Sequence, residues 1–140
     1  MRWSGKTGMA AEAKVIDASV VGALAFGEPR AEEALSLMEG TRLYAPVLLD
    51  YELASIARKK ILRYPERRRE LLQALELALS LDIRRVDVDS LSAVELSLET
   101  GLSTYDATYL HLARTMGVPL VTFDERLEGA WKKLSSSRTS

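Results

Sequence analysis

Short apolar segments that each end at an aspartate constrain the fold of this chain most strongly. The segment KVIDAS carries Asp17 directly after Val15 and Ile16, and PLVTFDERL carries Asp124 just after another apolar run. Each segment has the length and composition of a buried β-strand that passes into a helix. The carboxyl ends of parallel strands in an α/β sheet form the crevice where ligands bind. The sequence therefore predicts two carboxylates at one edge of such a sheet.

The rest of the chain alternates between predicted strands and helices. Strands are predicted over residues 15–17, 42–45, 83–86 and 120–122. Helices are predicted over residues 19–26, 29–39, 47–63, 65–81, 89–101, 103–116 and 124–134. This alternation predicts an α/β fold in which helices cover both faces of a central parallel sheet. A compact topology would place the first and fourth strands side by side.

Residues 14–134 are predicted to form a single domain. Residues 1–13 have no hydrophobic period and are rich in small residues, which predicts a flexible leader, and residues 135–140 form a polar tail. The hydrophobic fraction of 47% is ordinary for a globular protein. No apolar stretch is long enough to span a bilayer and no signal-peptide pattern is visible, so a cytoplasmic location is the default expectation.

Charge and composition exclude several kinds of site. The net charge is −1, from 19 basic and 20 acidic residues, so any binding of nucleic acid requires a local basic patch. The chain has no Cys, which excludes disulfides and thiolate metal sites. Its single histidine, His111, excludes a histidine cluster. No glycine-rich phosphate loop is present.

Two further acids stand where they can reach the same edge of the sheet. Asp106 lies in the segment STYDA, in the first turn of a predicted helix. Glu52 is flanked by apolar residues, and a charged side chain on a buried helical face needs a partner. Asp50 competes for this role, but Glu52 is preferred because Leu48 and Ile56 share its side of the helix. The packed face of the helix that carries Asp106 is predicted to consist of Tyr105, Tyr109, Leu112 and Met116.

The four acids have both a structural and a catalytic interpretation. Asp17 and Asp124 are good helix N-caps, and Asp106 is favoured in a first turn by the helix dipole. In one pocket, however, four carboxylates would repel one another, and a divalent cation would remove that conflict. Ligation by oxygen alone favours Mg²⁺ or Mn²⁺. The predicted metal ligands are Asp17, Asp106 and Asp124, Glu52 completes the catalytic set, and an activated water would hydrolyse a phosphodiester.

Small hydroxyl residues and one basic run are secondary candidates. The hydroxyl residues that suit support of the acids or contact with phosphate are Ser19, Ser103, Thr104 and Thr122. Each is also a good helix cap or strand residue. The run Arg58, Lys59 and Lys60 begins within two helical turns of Glu52, so contact with RNA phosphates is a hypothesis for it. A solvated helix face is the commoner role of such a run.

Taken in order, these motifs resemble those of the PIN domain family, specifically its VapC-type toxins. VIDASV resembles the first strand with Asp17, and APVLLDYELAS resembles the segment with Glu52. GLSTYDATYLHLAR resembles the helix start that supplies Asp106, and PLVTFDERL resembles the final strand with Thr122 and Asp124. The resemblance covers nearly the whole chain after residue 13, and the order and separation of the four motifs make it fairly specific.

The resemblance implies a Rossmann-like three-layer α/β/α fold with four or five strands and a Mg²⁺- or Mn²⁺-dependent endoribonuclease that cleaves RNA. It also implies a homodimer and a small VapB-like antitoxin that blocks the groove. Two features depart from the family pattern. A fifth strand often follows the last helix, and WKKLSSS does not predict one. The family's threonine is displaced, with Ser103 at its usual place and Thr104 added.

Three other functions are weighed against the toxin. A PIN-fold module that binds RNA or protein without turnover would be expected to have lost an acid, and this chain retains all four. A housekeeping RNA-processing nuclease would have the same acids but no antitoxin. A phosphotransfer enzyme with Asp17 as nucleophile is disfavoured, because Ser19 stands where haloacid-dehalogenase-like phosphatases need a second aspartate.

Overall fold

Strands and helices alternate through residues 12–139, which a computed structural model describes. The strands are β1 (Ala13–Ile16), β2 (Arg42–Pro46), β3 (Ile83–Val86) and β4 (Leu120–Val121). The helices are α1 (Ala18–Ala25), α2 (Ala31–Met38), α3 (Leu49–Arg63), α4 (Arg68–Leu79), α5 (Ser90–Thr100), α6 (Thr104–Met116) and α7 (Glu125–Thr139). A single 3₁₀ turn at Pro65–Arg67 precedes α4. The predicted α/β class is therefore confirmed.

The four strands form one parallel sheet in the order β3-β2-β1-β4. β1 is central, with Val15 opposite both Tyr44 of β2 and Leu120 of β4. The prediction that the first and fourth strands are neighbours is confirmed. Because both strands run in the same direction, the chain leaves them at the same edge of the sheet. The backbone N–H of Asp17 donates to the carbonyl of Val121 at that edge, over 3.2 Å.

The hydrophobic core is built around β1. Val15 and Ile16 are both fully buried, as expected for the central strand of a parallel sheet covered by helices. Val20 of α1, Leu110 of α6 and Leu127 of α7 are also fully buried in the same cluster. The helices that carry the candidate acids are thus anchored in one core.

Helix caps fix the turn that leads into α6. Asp89 caps α5 by accepting a hydrogen bond from the backbone N–H of Ser92 at 3.0 Å. Gly101 ends α5 with φ of 78°, a left-handed conformation that glycine adopts without steric cost. Ser103 then caps α6 by accepting from the N–H of Asp106 at 3.0 Å. This short turn sets where α6 begins and therefore where Asp106 lies relative to the edge of the sheet.

Some element boundaries differ from the prediction. α7 continues to Thr139 instead of ending at Leu134, because serine only moderately disfavours helix and no Gly or Pro interrupts this segment. α3 begins at Leu49, because the N–H of Val47 bonds to the carbonyl of Val86 in β3. No fifth strand occurs within residues 12–139.

The predicted leader lies largely outside the described residues, which begin at Glu12. β1 already starts at Ala13, the last residue of that leader. Of the predicted tail, residues 135–139 lie in α7 and Ser140 is outside the described part. Residues 12–139 contain no helix with the length and apolar character needed to cross a membrane.

Replacing a core leucine of α6 tests this packing. Leu110 is fully buried, whereas Leu98 on α5 is 81% exposed. Leu110→Ala is expected to lower the free energy of unfolding by about 2–5 kcal/mol, because it removes buried apolar contacts and leaves a cavity. Leu98→Ala is expected to change it by less than about 0.5 kcal/mol. Denaturant unfolding of both variants measures the difference, and equal losses would contradict the assigned packing.

Candidate active site

The carboxylate of Asp17 is held at the carboxyl end of β1 by residues from two parts of the chain. Its Oδ1 accepts hydrogen bonds from the hydroxyl of Ser19 at 2.6 Å and from the backbone N–H of Ser19 and Val20 at 3.1 and 3.4 Å. Its Oδ2 accepts from the hydroxyl of Thr122 at 2.7 Å. Asp17 is therefore the N-cap of α1 and also a fixed point of the sheet edge.

Two hydroxyls join the ends of β1 and β4. Besides donating to Asp17, the hydroxyl of Ser19 accepts from the backbone N–H of Phe123 at 2.9 Å. In the same way, the hydroxyl of Thr122 accepts from the N–H of Asp124 at 2.9 Å. Each hydroxyl thus donates a hydrogen bond to Asp17 and accepts one from a backbone N–H of the segment that follows β4. Of the four predicted hydroxyl residues, these two bond the carboxylate of Asp17, and Ser103 bonds the backbone N–H of Asp106.

Asp106 lies in the first turn of α6, and Asp124 directly precedes α7. Asp106 is half-buried, and burial raises its pKa, with a further rise from the negative charge of Asp124. Asp124 is exposed and caps α7 by accepting from the N–H of Leu127 at 2.9 Å. Ser103 caps α6, and Thr104 is the exposed first residue of that helix. Both acids thus have the helix-start positions that the structural interpretation predicts, and the charge of Asp124 also raises the pKa of Asp106.

Glu52 approaches the same edge from α3. Its Oε1 accepts a hydrogen bond from the hydroxyl of Tyr109 at 2.5 Å. Burial raises the pKa of Glu52 despite this bond, and the charges of Asp106 and Asp17 raise it further. The phenol is itself buried, and burial beside Glu52 raises the pKa of Tyr109, so the hydroxyl stays protonated and acts as the donor.

Asp50, the competing acid on α3, is engaged elsewhere. Its Oδ1 accepts from Nη2 and Nε of Arg85 on β3, at 2.7 and 3.0 Å. This salt bridge gives Asp50 a partner away from the other acids. The structure therefore places Glu52, and not Asp50, in the electrostatic environment of Asp17 and Asp106.

The donor set fits a hard divalent cation in its chemistry. The pKa of Asp17 is also raised, mainly by burial, although the hydrogen bonds from Ser19 and Thr122 oppose the shift. Raised carboxyl pKa values mean that the ionised forms are disfavoured, and a divalent cation would reverse this. Among residues 12–139, however, no three acidic or histidine side chains are grouped closely enough to form a metal cluster. The four acids therefore belong to the same edge of the sheet but do not form a ready set of metal ligands in the described part of the chain.

The predicted basic run lies further along α3. Arg58 is six residues beyond Glu52, which corresponds to roughly 9 Å along the helix axis. Arg58 and Lys59 are exposed, while Nζ of Lys60 bonds Oε2 of Glu28 at 2.7 Å. The structure shows no contact between this run and the acids, so its role in binding RNA stays a prediction.

Arg126 and Tyr109 were not predicted as functional residues. The guanidinium of Arg126 donates to the carbonyl of Gly101 at 2.9 Å, and its positive charge lowers the pKa of Asp106. Arg126 also lines a cleft of about 880 Å³ beside α5, α6 and α7, together with Arg114 and Lys133. In the sequence, the one feature that could have pointed to Arg126 is its place in the first turn of α7, the helix that follows β4.

Tyr109 carries a clearer sequence signal. It lies three residues after Asp106, so the two side chains share a face of α6. The prediction that Tyr109 and Leu112 are packed is correct, since both are buried, but the hydrogen bond to Glu52 was not foreseen. Tyr105, predicted for the same face, is instead 64% exposed.

Comparison with known proteins gives consistent matches in sequence. The family model described as PIN domain matches residues 14–132. Ribonuclease VapC3 of Pyrobaculum aerophilum is 32% identical over 118 residues, which cover 81% of this chain and 90% of the relative. Ribonuclease VapC12 of Mycobacterium tuberculosis is 29% identical over 113 residues, covering 81% of this chain and 88% of the relative.

Solved structures agree in fold. The crystal structure of PAE2754 from Pyrobaculum aerophilum matches with a TM-score of 0.68 at 24% identity, covering 94% of this chain and 98% of the other. The structure of Mycobacterium tuberculosis VapC20, described as a sarcin-ricin loop cleaving toxin, matches with a TM-score of 0.59 at 19% identity. The latter match covers 84% of this chain and 94% of the other. At these identities the matches concern the fold alone.

The raised pKa of Glu52 predicts a specific dependence of stability on pH. Since the folded pKa lies above the ordinary value of 4.5, the stabilising contribution of protonated Glu52 is present below pH 4.5 and is lost as the pH rises through the folded pKa. Glu52→Gln removes this titration and retains an acceptor for Tyr109.

We therefore expect the melting temperature of Glu52→Gln to rise relative to that of wild type as the pH increases from 4.5 through the folded pKa of Glu52. Thermal denaturation in EDTA, from about pH 4 to about pH 8, measures the difference. A difference that does not vary with pH would show that Glu52 titrates normally.

Proposed function

The chain belongs to the PIN domain family, and from this premise we propose that it is an endoribonuclease that hydrolyses RNA phosphodiester bonds with a divalent metal ion. The observation that carries the proposal is that like-charge repulsion links four carboxylates at the carboxyl edge of the sheet. The charges of Asp17 and Asp106 raise the pKa of Glu52, and the charge of Asp124 raises that of Asp106. The ribonuclease names of the relatives support the reaction class.

The proposed metal is Mg²⁺ or Mn²⁺, since divalent ions are used generally by PIN-domain ribonucleases and both ions prefer oxygen ligands. Asp17, Asp106 and Asp124 would hold the ion, and Glu52 would complete the site directly or through a water. Such an ion lowers the pKa of a water and stabilises negative charge on phosphate oxygens.

The side chains themselves have distinct roles in this proposal. Ser19 and Thr122 hold Asp17 in one orientation, so it offers a prepared ligand rather than a mobile one. Glu52, whose Oε1 is held by the hydroxyl of Tyr109, would accept a proton from the attacking water.

RNA phosphates are proposed to contact cations at two places. Arg58, Lys59 and Lys60 remain candidates on α3, although Lys60 already pairs with Glu28. Arg126 is a further candidate, because it is exposed and its positive charge lowers the pKa of Asp106. The planar guanidinium can also donate paired hydrogen bonds to a phosphate. The hydroxyls of Ser103 and Thr104 stand at the start of α6, beside the proposed scissile phosphate.

We further propose that the protein is the toxin of a VapBC-type pair and acts in the cytoplasm. The VapC names of its relatives support this role. Its partners would then be an RNA substrate, a VapB-like antitoxin that covers the acidic edge, and a second copy of the chain in a homodimer. A housekeeping nuclease with the same site would have no antitoxin, and the presence of an antitoxin gene beside this one separates the two roles.

A PIN-fold module that binds RNA without cleaving it is the second candidate. It is favoured by the lack of an assembled metal cluster among the described residues. The two candidates differ in a simple way, because only the nuclease produces new RNA ends that depend on added metal.

Cleavage of a mixed-sequence single-stranded RNA tests the proposed function. Asp106→Asn removes one charge of the proposed ligand set and is expected to lower the cleavage rate by at least about 100-fold. Asp82→Asn is the matched control, since Asp82 is exposed in the turn before β3. Wild type and Asp82→Asn should cut with Mg²⁺ or Mn²⁺ and not with EDTA. Equal cutting by Asp106→Asn, or cutting in EDTA, would contradict the proposal.

A further inference from the structure

The carboxylate of Glu52 on α3 is hydrogen-bonded by a buried phenol on α6. The hydroxyl of Tyr109 donates to Oε1 of Glu52 at 2.5 Å, and Tyr109 is only 1% exposed. Its ring belongs to the same core cluster as Leu110 and Ala107, its neighbours on α6. A side chain packed in this way has one orientation. The hydroxyl is therefore a fixed point to which Glu52 is attached.

The two helices joined by this bond pack on different parts of the fold. α3 packs mainly against α1 and α4, whereas α6 packs mainly against α5, β1 and β2. The hydrogen bond between Glu52 and Tyr109 therefore adds a polar contact between two helices that share one apolar core, to which α3 contributes Leu53 and α6 contributes Leu110. Because Tyr109 is one turn beyond Asp106 on the same helical face, the bond also ties Glu52 to the helix that carries Asp106.

Electrostatic repulsion acts against this arrangement. Asp17 and Asp106 act on Glu52 as like charges, and a glutamate side chain has enough rotatable bonds to turn toward solvent. A single strong hydrogen bond to the carboxylate opposes that movement. Removal of the hydroxyl alone would leave the ring packing intact and release the carboxylate.

We propose that Tyr109 is a positioning residue that sets the distance between Glu52 and Asp106 and keeps Glu52 directed into the acidic site. The inference rests on the proposed function for its catalytic meaning. Its structural content, the orientation of Glu52, holds independently of which reaction the site performs. Tyr109 touches neither RNA nor the reacting atoms in this account and acts only through Glu52.

Tyr109→Phe tests the proposal, with Tyr105→Phe as the matched control. Tyr105 lies one turn earlier on α6, and its side chain is 64% exposed. We expect Tyr109→Phe to lower kcat for RNA cleavage by about 10–100-fold, the usual range for loss of a side chain that orients a metal-site ligand. Tyr105→Phe should leave kcat unchanged. An unchanged kcat in Tyr109→Phe would overturn the proposal.

A double-mutant comparison separates positioning from a general structural effect. If the hydroxyl acts through Glu52, Tyr109→Phe should have no further effect on activity in a Glu52→Ala background. Equal losses in both backgrounds would mean that the hydroxyl acts independently of Glu52, and the proposal would be wrong. Glu52→Asp provides a second route, because it keeps the charge but shortens the side chain, and it should lose activity as Tyr109→Phe does.

A readout without catalysis distinguishes failure of this inference from failure of the proposed function. The crystal structure of metal-free Tyr109→Phe should show the Glu52 carboxylate turned away from Asp106, with α3 and α6 otherwise in place. If wild type cleaves no RNA but Glu52 turns, the reaction is misassigned and the positioning role stands. A Glu52 carboxylate that keeps its place without the hydroxyl would refute the positioning role directly.

Discussion

The hydrogen bond from Thr122 to Asp17 is the interaction on which the arrangement of the site depends. It joins the ends of two strands that are 105 residues apart in sequence and adjacent in the sheet. The hydroxyl of Ser19 repeats the connection in the other direction by accepting from the N–H of Phe123. With the ends of β1 and β4 fixed together, the first turns of α1 and α7 begin at one edge. The remaining acids reach that edge from α3 and α6, which bring Glu52 and Asp106 to it.

The same convergence creates an electrostatic cost within the apoprotein. Burial raises the pKa of Asp17, Glu52 and Asp106; the charges of Asp106 and Asp17 raise the pKa of Glu52 further, and the charge of Asp124 raises that of Asp106. A protein selected only for stability would place apolar or uncharged residues there. The proposed function gives these acids a positive partner in the form of a divalent cation. In this view the repulsion is offset when a cation binds, and hydrogen bonds from neutral donors such as Tyr109 hold the acids in place until then.

Much of the fold was predictable because its signals are local. Apolar runs located the four strands, and Asp89, Gly101 and Ser103 marked helix ends through capping and left-handed turns. The features that escaped prediction depend on contacts between distant segments. The partner of Asp50 on β3, the exposure of Tyr105 and the bond between Tyr109 and Glu52 all follow from how the elements pack. The preference for Glu52 over Asp50 as a site residue stays a prediction, and the salt bridge that gives Asp50 a partner in Arg85 was not visible in the sequence.

The most direct test of the central claim is to locate Mn²⁺ in a crystal of the wild-type protein by its anomalous scattering. We expect a peak at the carboxyl edge of the sheet, within ligand distance of Asp17, Asp106 and Asp124, and loss of that peak in Asp106→Asn. A peak elsewhere, or none at a Mn²⁺ concentration that supports cleavage, would contradict the assignment of these acids as the metal site.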